Sequence, residues 1–206
     1  MIIVAGGDSF VWGSELSDHR HGGGGGHSRK TFTALLAADN EYACLAYPGD
    51  SNWQIMQHIS NCTKSPDRRE LDLFVIACWT WPTRGHNASH SRVAVHNTQT
   101  CLKEYNIPYL FTCADNCLLE WLSDDTDWDN WFLFPPAEES WNTQQPRGFY
   151  QWAVENKYPV GPDGHPLDAA HQDAALLIKD KFNEVVKKHL EQNGSGNPIS
   201  QETQRT

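Results

Sequence analysis

Short apolar runs alternate along this chain with segments that carry apolar residues at helical spacing. The runs lie at 2–5, 42–47, 73–78 and 109–113. Apolar runs of this length are typical of strands buried on both faces of a sheet. Because strands that alternate with helices join through right-handed crossovers, the pattern predicts an α/β fold. We expect a three-layer α/β/α sandwich around a central parallel sheet.

Residues that can cap helices precede the helical segments. Ser28 is the expected N-cap of the first full helix, and Ser51 or Asn52 that of the second. A third helix is predicted over 91–105, and a long final helix carries an apolar stripe over 174–190.

The length of 206 residues suits one domain. We expect this domain to span 1–192 and to include a Trp-rich insertion or lid at about 124–160. Residues 193–206 are rich in Gly, Ser, Gln and Thr, which predicts a flexible C-terminal tail.

Charge and hydropathy exclude several classes of partner. The chain carries 16 basic and 26 acidic side chains, a net charge of -10 that repels nucleic acid. The longest apolar stretch, 71–81, is too short to span a membrane. The N-terminus has no signal-peptide pattern, so a cytoplasmic location is expected.

No cofactor and no metal site are expected. The six cysteines lie in apolar segments and are predicted to be reduced core thiols, the close pair Cys113 and Cys117 included. Two histidines, His21 and His27, flank five glycines. Such a loop has no fixed ligand geometry, so it is predicted to be an active-site flap.

Polar residues follow the predicted strands, at 6–10, 47–52 and 78–84, and precede the final helix at 162–171. The carboxyl ends of parallel strands share one edge of a sheet, where ligands bind. A serine hydroxyl becomes a nucleophile when a histidine takes its proton and a carboxylate orients that histidine. These segments supply all three groups.

Three of these segments resemble conserved blocks of the SGNH (GDSL-type) hydrolases. They are Gly-Asp-Ser-Phe after the first strand, Pro-Gly-Asp-Ser-Asn after the second and Asp-x-His-Pro before the last helix. The resemblance implies a flavodoxin-like SGNH fold and a serine esterase that needs no cofactor. It implies that Ser9 is the nucleophile and first oxyanion donor, Gly49 the second donor, His165 the base and Asp163 its orienting acid.

The chain departs from the family pattern at two places. Thr80 stands where the family has an Asn as third oxyanion donor, and the surrounding Trp-Thr resembles a subgroup found often in phages. The usual Asp-x-x-His spacing fits Asp168 and His171, which form an alternate acid and base pair. We favour His165 because it precedes the final helix, whereas His171 would lie inside it.

Four further residues of these blocks are expected to bind substrate: Asp8, Asn52, Trp79 and Trp81. The predicted function is hydrolysis of a carboxylic ester, either an acetylated carbohydrate or a short acyl ester, through an acyl-enzyme. The alternative is a weak or inactive protein of the same fold that binds glycan or lipid, or that contacts a virion or host protein. A phage origin would place it in the host cytoplasm or the virion.

Overall fold

The computed structural model describes residues 1–19, 26–38, 40–65, 71–85, 87–140 and 142–194. In this part of the chain four parallel strands form one sheet in the order β2-β1-β3-β4. The strands are β1 (Ile2–Gly6), β2 (Glu41–Cys44), β3 (Leu73–Trp79) and β4 (Tyr109–Cys113). The α-helices are α1 (Ser9–Trp12), α2 (Phe32–Ala37), α3 (Asn52–Lys64), α4 (Ala88–Glu104), α5 (Phe149–Glu155) and α6 (Asp168–Gly194).

Alternate residues of β3 point into two separate cores. Phe74 and Ile76 join the core covered by α2, α5 and α6, whereas Val75 and Ala77 join the core under α3 and α4. All seven residues of β3 are buried, as expected for a strand covered on both faces. The predicted three-layer α/β/α sandwich with a parallel sheet is therefore confirmed.

Helix α2 begins later than predicted. Its N-cap is Thr31, whose side chain accepts a hydrogen bond from the backbone N–H of Ala34. The hydroxyl of Ser28 instead donates to Asp18. Ser51 caps α3 as expected, within a reciprocal capping box that satisfies two backbone donors.

Helix α6 continues to Gly194, so residues 193 and 194 belong to the helix and not to the predicted tail. The rest of that tail, 195–206, lies outside the described residues, as do 20–25 of the predicted flap.

The predicted lid contributes to the core. Trp131 is buried edge-on against Phe111 of β4, and Trp152 of α5 is buried and stacked on Phe134. Trp128 and Trp121 are exposed, and Trp141 lies outside the described residues.

The six cysteines are free thiols, four of them buried. Among the described helices, none is both long and apolar enough to cross a bilayer.

Candidate active site

Ser9 lies where β1 leaves the sheet and α1 begins. The carboxylate of Asp8 caps this short helix by accepting a hydrogen bond from the Phe10 N–H at 3.0 Å. Ser9 is the first residue of α1, so its own N–H precedes the first hydrogen bond within the helix. The hydroxyl and the free backbone N–H of Ser9 therefore both lie at the start of α1.

The structure brings four of the predicted site residues, Ser9, Gly49, Asp163 and His165, into one open cleft. They line a space of about 370 Å³, together with Glu15. The rest of its lining comes from Ser14, His19 and Pro48. The segments that follow β1 and β2 and the loop before α6, which are far apart in the sequence, thus meet at one edge of the sheet.

Gly49 follows β2 in a tight turn in which the Asp50 N–H donates to the Tyr47 carbonyl at 3.2 Å. The φ angle of Gly49 is 87°, in the left-handed region that glycine adopts without strain. Because Gly49 carries no side chain, an ester can approach its backbone N–H closely.

His165 lies in a compact loop that leads into α6. The Gly161 N–H donates to the His165 carbonyl at 2.8 Å, and Val160 pairs with Pro166. The His165 ring packs edge-on against Phe10, with ring centroids 5.5 Å apart. Backbone pairing and ring packing together fix the imidazole beside α1.

The carboxylate that orients His165 is Glu15, not the predicted Asp163. Oε2 of Glu15 lies 2.7 Å from Nδ1 of the imidazole. Asp163 is exposed and reaches Glu15 through its backbone N–H, at 3.1 Å from Oε1. One residue separates Asp163 from His165, whereas the family pattern Asp-x-x-His has two. The carboxylate that contacts His165 comes from the turn after α1.

Two backbone features hold Glu15 in place. Its φ angle is 66°, unusual for a residue with a side chain, and its carboxylate accepts hydrogen bonds from the backbone N–H groups of Asp163 and His165. Gly161 is required for this approach, because a Cβ there would lie 2.5 Å from the Glu15 carboxylate. The backbone thus fixes the position of the Glu15 carboxylate.

The protonation state of Glu15 suits this role. Burial raises the pKa of its carboxyl, but the Asp163 N–H and the ring and N–H of His165 outweigh burial and hold the pKa below its ordinary value. An ionised carboxylate only accepts hydrogen bonds, so Nδ1 of His165 carries the proton. Nε2 is then the nitrogen that is available to a serine hydroxyl.

The alternate pair Asp168 and His171 is separated. Asp168 binds Lys30 at 2.8 Å and accepts hydrogen bonds from the N–H and hydroxyl of Ser17. Burial raises the pKa of Asp168, but these partners outweigh it and lower the pKa to about 2. Asp168 therefore ties the segment that carries Glu15 to the start of α6.

His171 is a core residue. It is 1% exposed, its ring stacks on Phe32 and its Nδ1 accepts the Phe32 N–H at 3.1 Å. Burial lowers its pKa to about 3, against the opposing effects of the Asp168 charge and of a hydrogen bond to the Pro166 carbonyl. A neutral, fully buried ring bonded on both sides cannot serve as the base in the cleft.

The Thr80 hydroxyl is turned away from the predicted role of oxyanion donor. It is fully buried and donates to Oδ2 of Asp8 at 2.7 Å. Asp8 is itself fully buried, with Oδ2 also 3.1 Å from Nη1 of Arg84. Burial raises the Asp8 pKa, against the opposing effects of Thr80, Phe10 and Arg84. Asp8 is thus a structural carboxylate beneath Ser9 and is not placed to contact substrate.

Two other predicted substrate-binding residues are internal. The amide of Asn52 accepts the Thr80 N–H at 2.8 Å and donates to the Ser91 hydroxyl at 2.9 Å. Trp79 is fully buried against Phe111. Asn52 thus joins the segments that follow β2 and β3, whereas Trp79 is part of the core.

Trp81 differs from them. It is partly exposed and packs against Phe10 and Tyr150. The Arg84 guanidinium carbon lies 5.1 Å from the centroid of the Trp81 ring. Within the described chain, no cluster of three or more His, Cys, Asp or Glu side chains is arranged to hold a metal ion.

Several solved structures with a similar architecture are esterases. A psychrotrophic esterase, EstA, from Pseudoalteromonas sp. superposes with a TM-score of 0.53 at 13% identity, over 92% of this chain and 98% of its own. A family two carbohydrate esterase from Cellvibrio japonicus gives 0.58 at 12% identity, over 90% of this chain and 61% of its own.

The chain has the SGNH hydrolase fold. A two-domain esterase active on acetylated mannans shares it, with a TM-score of 0.53 at 13% identity over 99% of this chain and 52% of its own. No family model matches the sequence, and no curated protein matches it. The fold is therefore recognised from structural similarity and not from sequence similarity.

Proposed function

We propose that the protein is a serine esterase that cleaves a carboxylic ester through an acyl-enzyme. Nε2 of His165 takes the Ser9 hydroxyl proton as Oγ attacks the ester carbonyl, and then gives it to the leaving alkoxide. Water attacks the acyl-enzyme by the same route, with His165 again as base. The products are an acid and an alcohol, and Ser9 is restored.

Glu15 supports both transfers. While His165 holds the serine proton it is a cation, and the Glu15 carboxylate at 2.7 Å stabilises that charge and fixes the ring tautomer. The contact between Glu15 and His165, in a cleft shared with Ser9, is the single observation that carries the proposal.

The backbone N–H groups of Ser9 and Gly49 are assigned to the oxyanion. Both residues line the cleft, and backbone donors cost no reorganisation when charge develops on the carbonyl oxygen. The Thr80 hydroxyl has no part in this assignment because it donates to Asp8.

An acetylated carbohydrate or a short acyl ester is the proposed substrate. The cleft holds about 370 Å³ and is open and partly polar, lined by Glu15, His19 and Asp163 as well as Pro48. Polar walls suit the hydroxyls of a sugar better than a long alkyl chain. The esterase on acetylated mannans with this fold is in keeping with that choice.

An acyl-length series tests the proposal. The purified protein should hydrolyse p-nitrophenyl acetate and release acetate from acetylated mannan or xylan oligosaccharides, with activity falling as the acyl chain lengthens. Ser9→Ala should abolish release, whereas Ser89→Ala, at an exposed position on α4, should not. Tight glycan binding with no release by the wild-type protein would instead identify a binding protein of this fold.

A further inference from the structure

A two-donor oxyanion hole leaves one side of the developing charge open. Asp8, the residue before Ser9, is a fully buried carboxylate, and an unpaired negative charge there would oppose an oxyanion. Thr80 uses its hydroxyl on Asp8 and does not extend into the cleft.

Arg84 contacts the same carboxylate oxygen of Asp8 that Thr80 contacts. Its Nη1 lies 3.1 Å from Oδ2 of Asp8, and its guanidinium lies over the Trp81 ring. The Arg84 side chain is 32% exposed although its partner is fully buried. Arg84 therefore binds a buried carboxylate through Nη1, while part of its side chain remains accessible to solvent.

The loop that carries Arg84 packs against the segment that follows Gly49. Its turn closes through the Arg84 N–H and the Trp81 carbonyl at 3.2 Å. The adjacent Gly85 backbone approaches Ser51, where a Cβ would lie 3.3 Å from the Ser51 Cβ. Arg84 thus contacts Asp8, the residue before Ser9, and the neighbouring Gly85 contacts Ser51, which lies two positions after Gly49.

We propose that Arg84 supplies the third oxyanion donor, through a guanidinium N–H not used by Asp8. This inference rests on the proposed esterase function and deepens it. A guanidinium has five N–H donors and stays charged at any working pH, so it can bind Asp8 and an oxyanion together. Asp8, itself bound by the Thr80 hydroxyl, then holds Arg84 next to the residue that precedes Ser9.

The first test compares Arg84→Met with Arg92→Met, a change at an exposed position on α4. With p-nitrophenyl acetate, which is uncharged, Arg84→Met should lower kcat about 10²–10³-fold, the loss seen when one oxyanion donor is removed, with KM changed less than about threefold. Arg92→Met should keep both constants. A loss confined to KM, or to anionic esters, would overturn the inference and indicate a site for substrate carboxylates.

A second variant separates donation from charge neutralisation. Asp8→Asn combined with Arg84→Met removes both charges and keeps a residue that can cap α1. If Arg84 only neutralises Asp8, this double variant should recover most of the activity, and the inference fails. If Arg84 donates to the oxyanion, the double variant should stay as slow as Arg84→Met.

Added guanidinium supplies a readout that a structural role would not move. Millimolar guanidinium should restore part of kcat in Arg84→Ala and should leave the wild-type rate unchanged. Labelling of Ser9 by a fluorophosphonate tells the two proposals apart. A wild-type protein that labels and turns over ester, with an Arg84→Met variant of equal kcat, would refute the donor role alone, whereas an unreactive wild type would remove both.

Discussion

Glu15 Oε2 lies 2.7 Å from His165 Nδ1, although 150 positions separate the two residues in the chain. The contact joins the turn after α1 to the loop before α6. It gives His165 a fixed tautomer and an anionic partner, and leaves Nε2 for Ser9. Most of the proposed chemistry depends on this pair.

Glu15→Gln should lower kcat about 10²–10⁴-fold, because the imidazolium formed during catalysis loses its carboxylate. Asp163→Asn should keep kcat within about threefold, because Asp163 holds Glu15 through its backbone N–H. Steady-state kinetics on p-nitrophenyl acetate measure both variants. The reverse order of effects would restore Asp163 as the orienting acid.

His171→Leu should lower the free energy of unfolding by about 1–3 kcal/mol, because the buried Phe32 N–H loses its acceptor. His171→Gln, which can both accept and donate, should recover part of that loss. Urea denaturation measures the stability of each variant. Activity per folded molecule should stay near the wild-type value, and its collapse in both variants would mean that His171 takes part in the chemistry.

The low pKa of His171 also predicts a pH dependence of stability. The folded ring has a pKa of about 3 against 6.5 for an ordinary histidine, so between these values the unfolded chain binds a proton that the folded chain does not. The stabilising effect of the neutral ring is complete above pH 6.5 and is lost as the pH falls toward 3. Relative to His171→Gln, the wild-type protein should lose about 1 kcal/mol per pH unit between pH 6 and 4. If the free energy of unfolding changed with pH in the same way in the wild type and in His171→Gln, the result would contradict a neutral buried ring.

Asp168→Ala should slow catalysis without abolishing it. The change frees Ser17 and Lys30, so the segment that carries Glu15 loses its tie to α6. A displacement of the Glu15 carboxylate by a fraction of an ångström should lower kcat about 3- to 30-fold. Lys30→Met should have a smaller effect of the same kind, because Ser17 stays bound to Asp168. A loss as large as that of Glu15→Gln would argue that Asp168 is itself the acid.

The fold could be predicted from the sequence because its signals are local. The buried strands β1 and β3 are continuous apolar runs, β4 is interrupted only by Thr112, and Pro108 directly precedes β4. Parallel strands then place their exits at one edge, which is why Ser9, Gly49 and His165 meet in one cleft. The start of α2 was mispredicted because Ser28 and Thr31 are both good caps, and tertiary contacts decide between them.

The acid could not be found in this way. Glu15 reaches His165 through a left-handed backbone turn and the close approach of Gly161, and neither feature leaves a spacing pattern in the sequence. Asp163 was favoured because it is near His165 in the chain. The shortened interval between them was the available signal that the acid lies elsewhere. The position of Arg84 beside Asp8 was hidden for the same reason, since 76 positions separate them.

Peptide mass spectrometry after treatment with a fluorophosphonate tests the nucleophile and its activation together. We predict one phosphonyl adduct on Ser9 that is absent in Ser9→Ala, formed far more slowly in His165→Ala and Glu15→Gln, and unchanged in Ser14→Ala, a second serine of the cleft. An adduct on Ser14, or labelling of Ser9 at the wild-type rate in His165→Ala, would contradict a serine activated by the Glu15 and His165 pair.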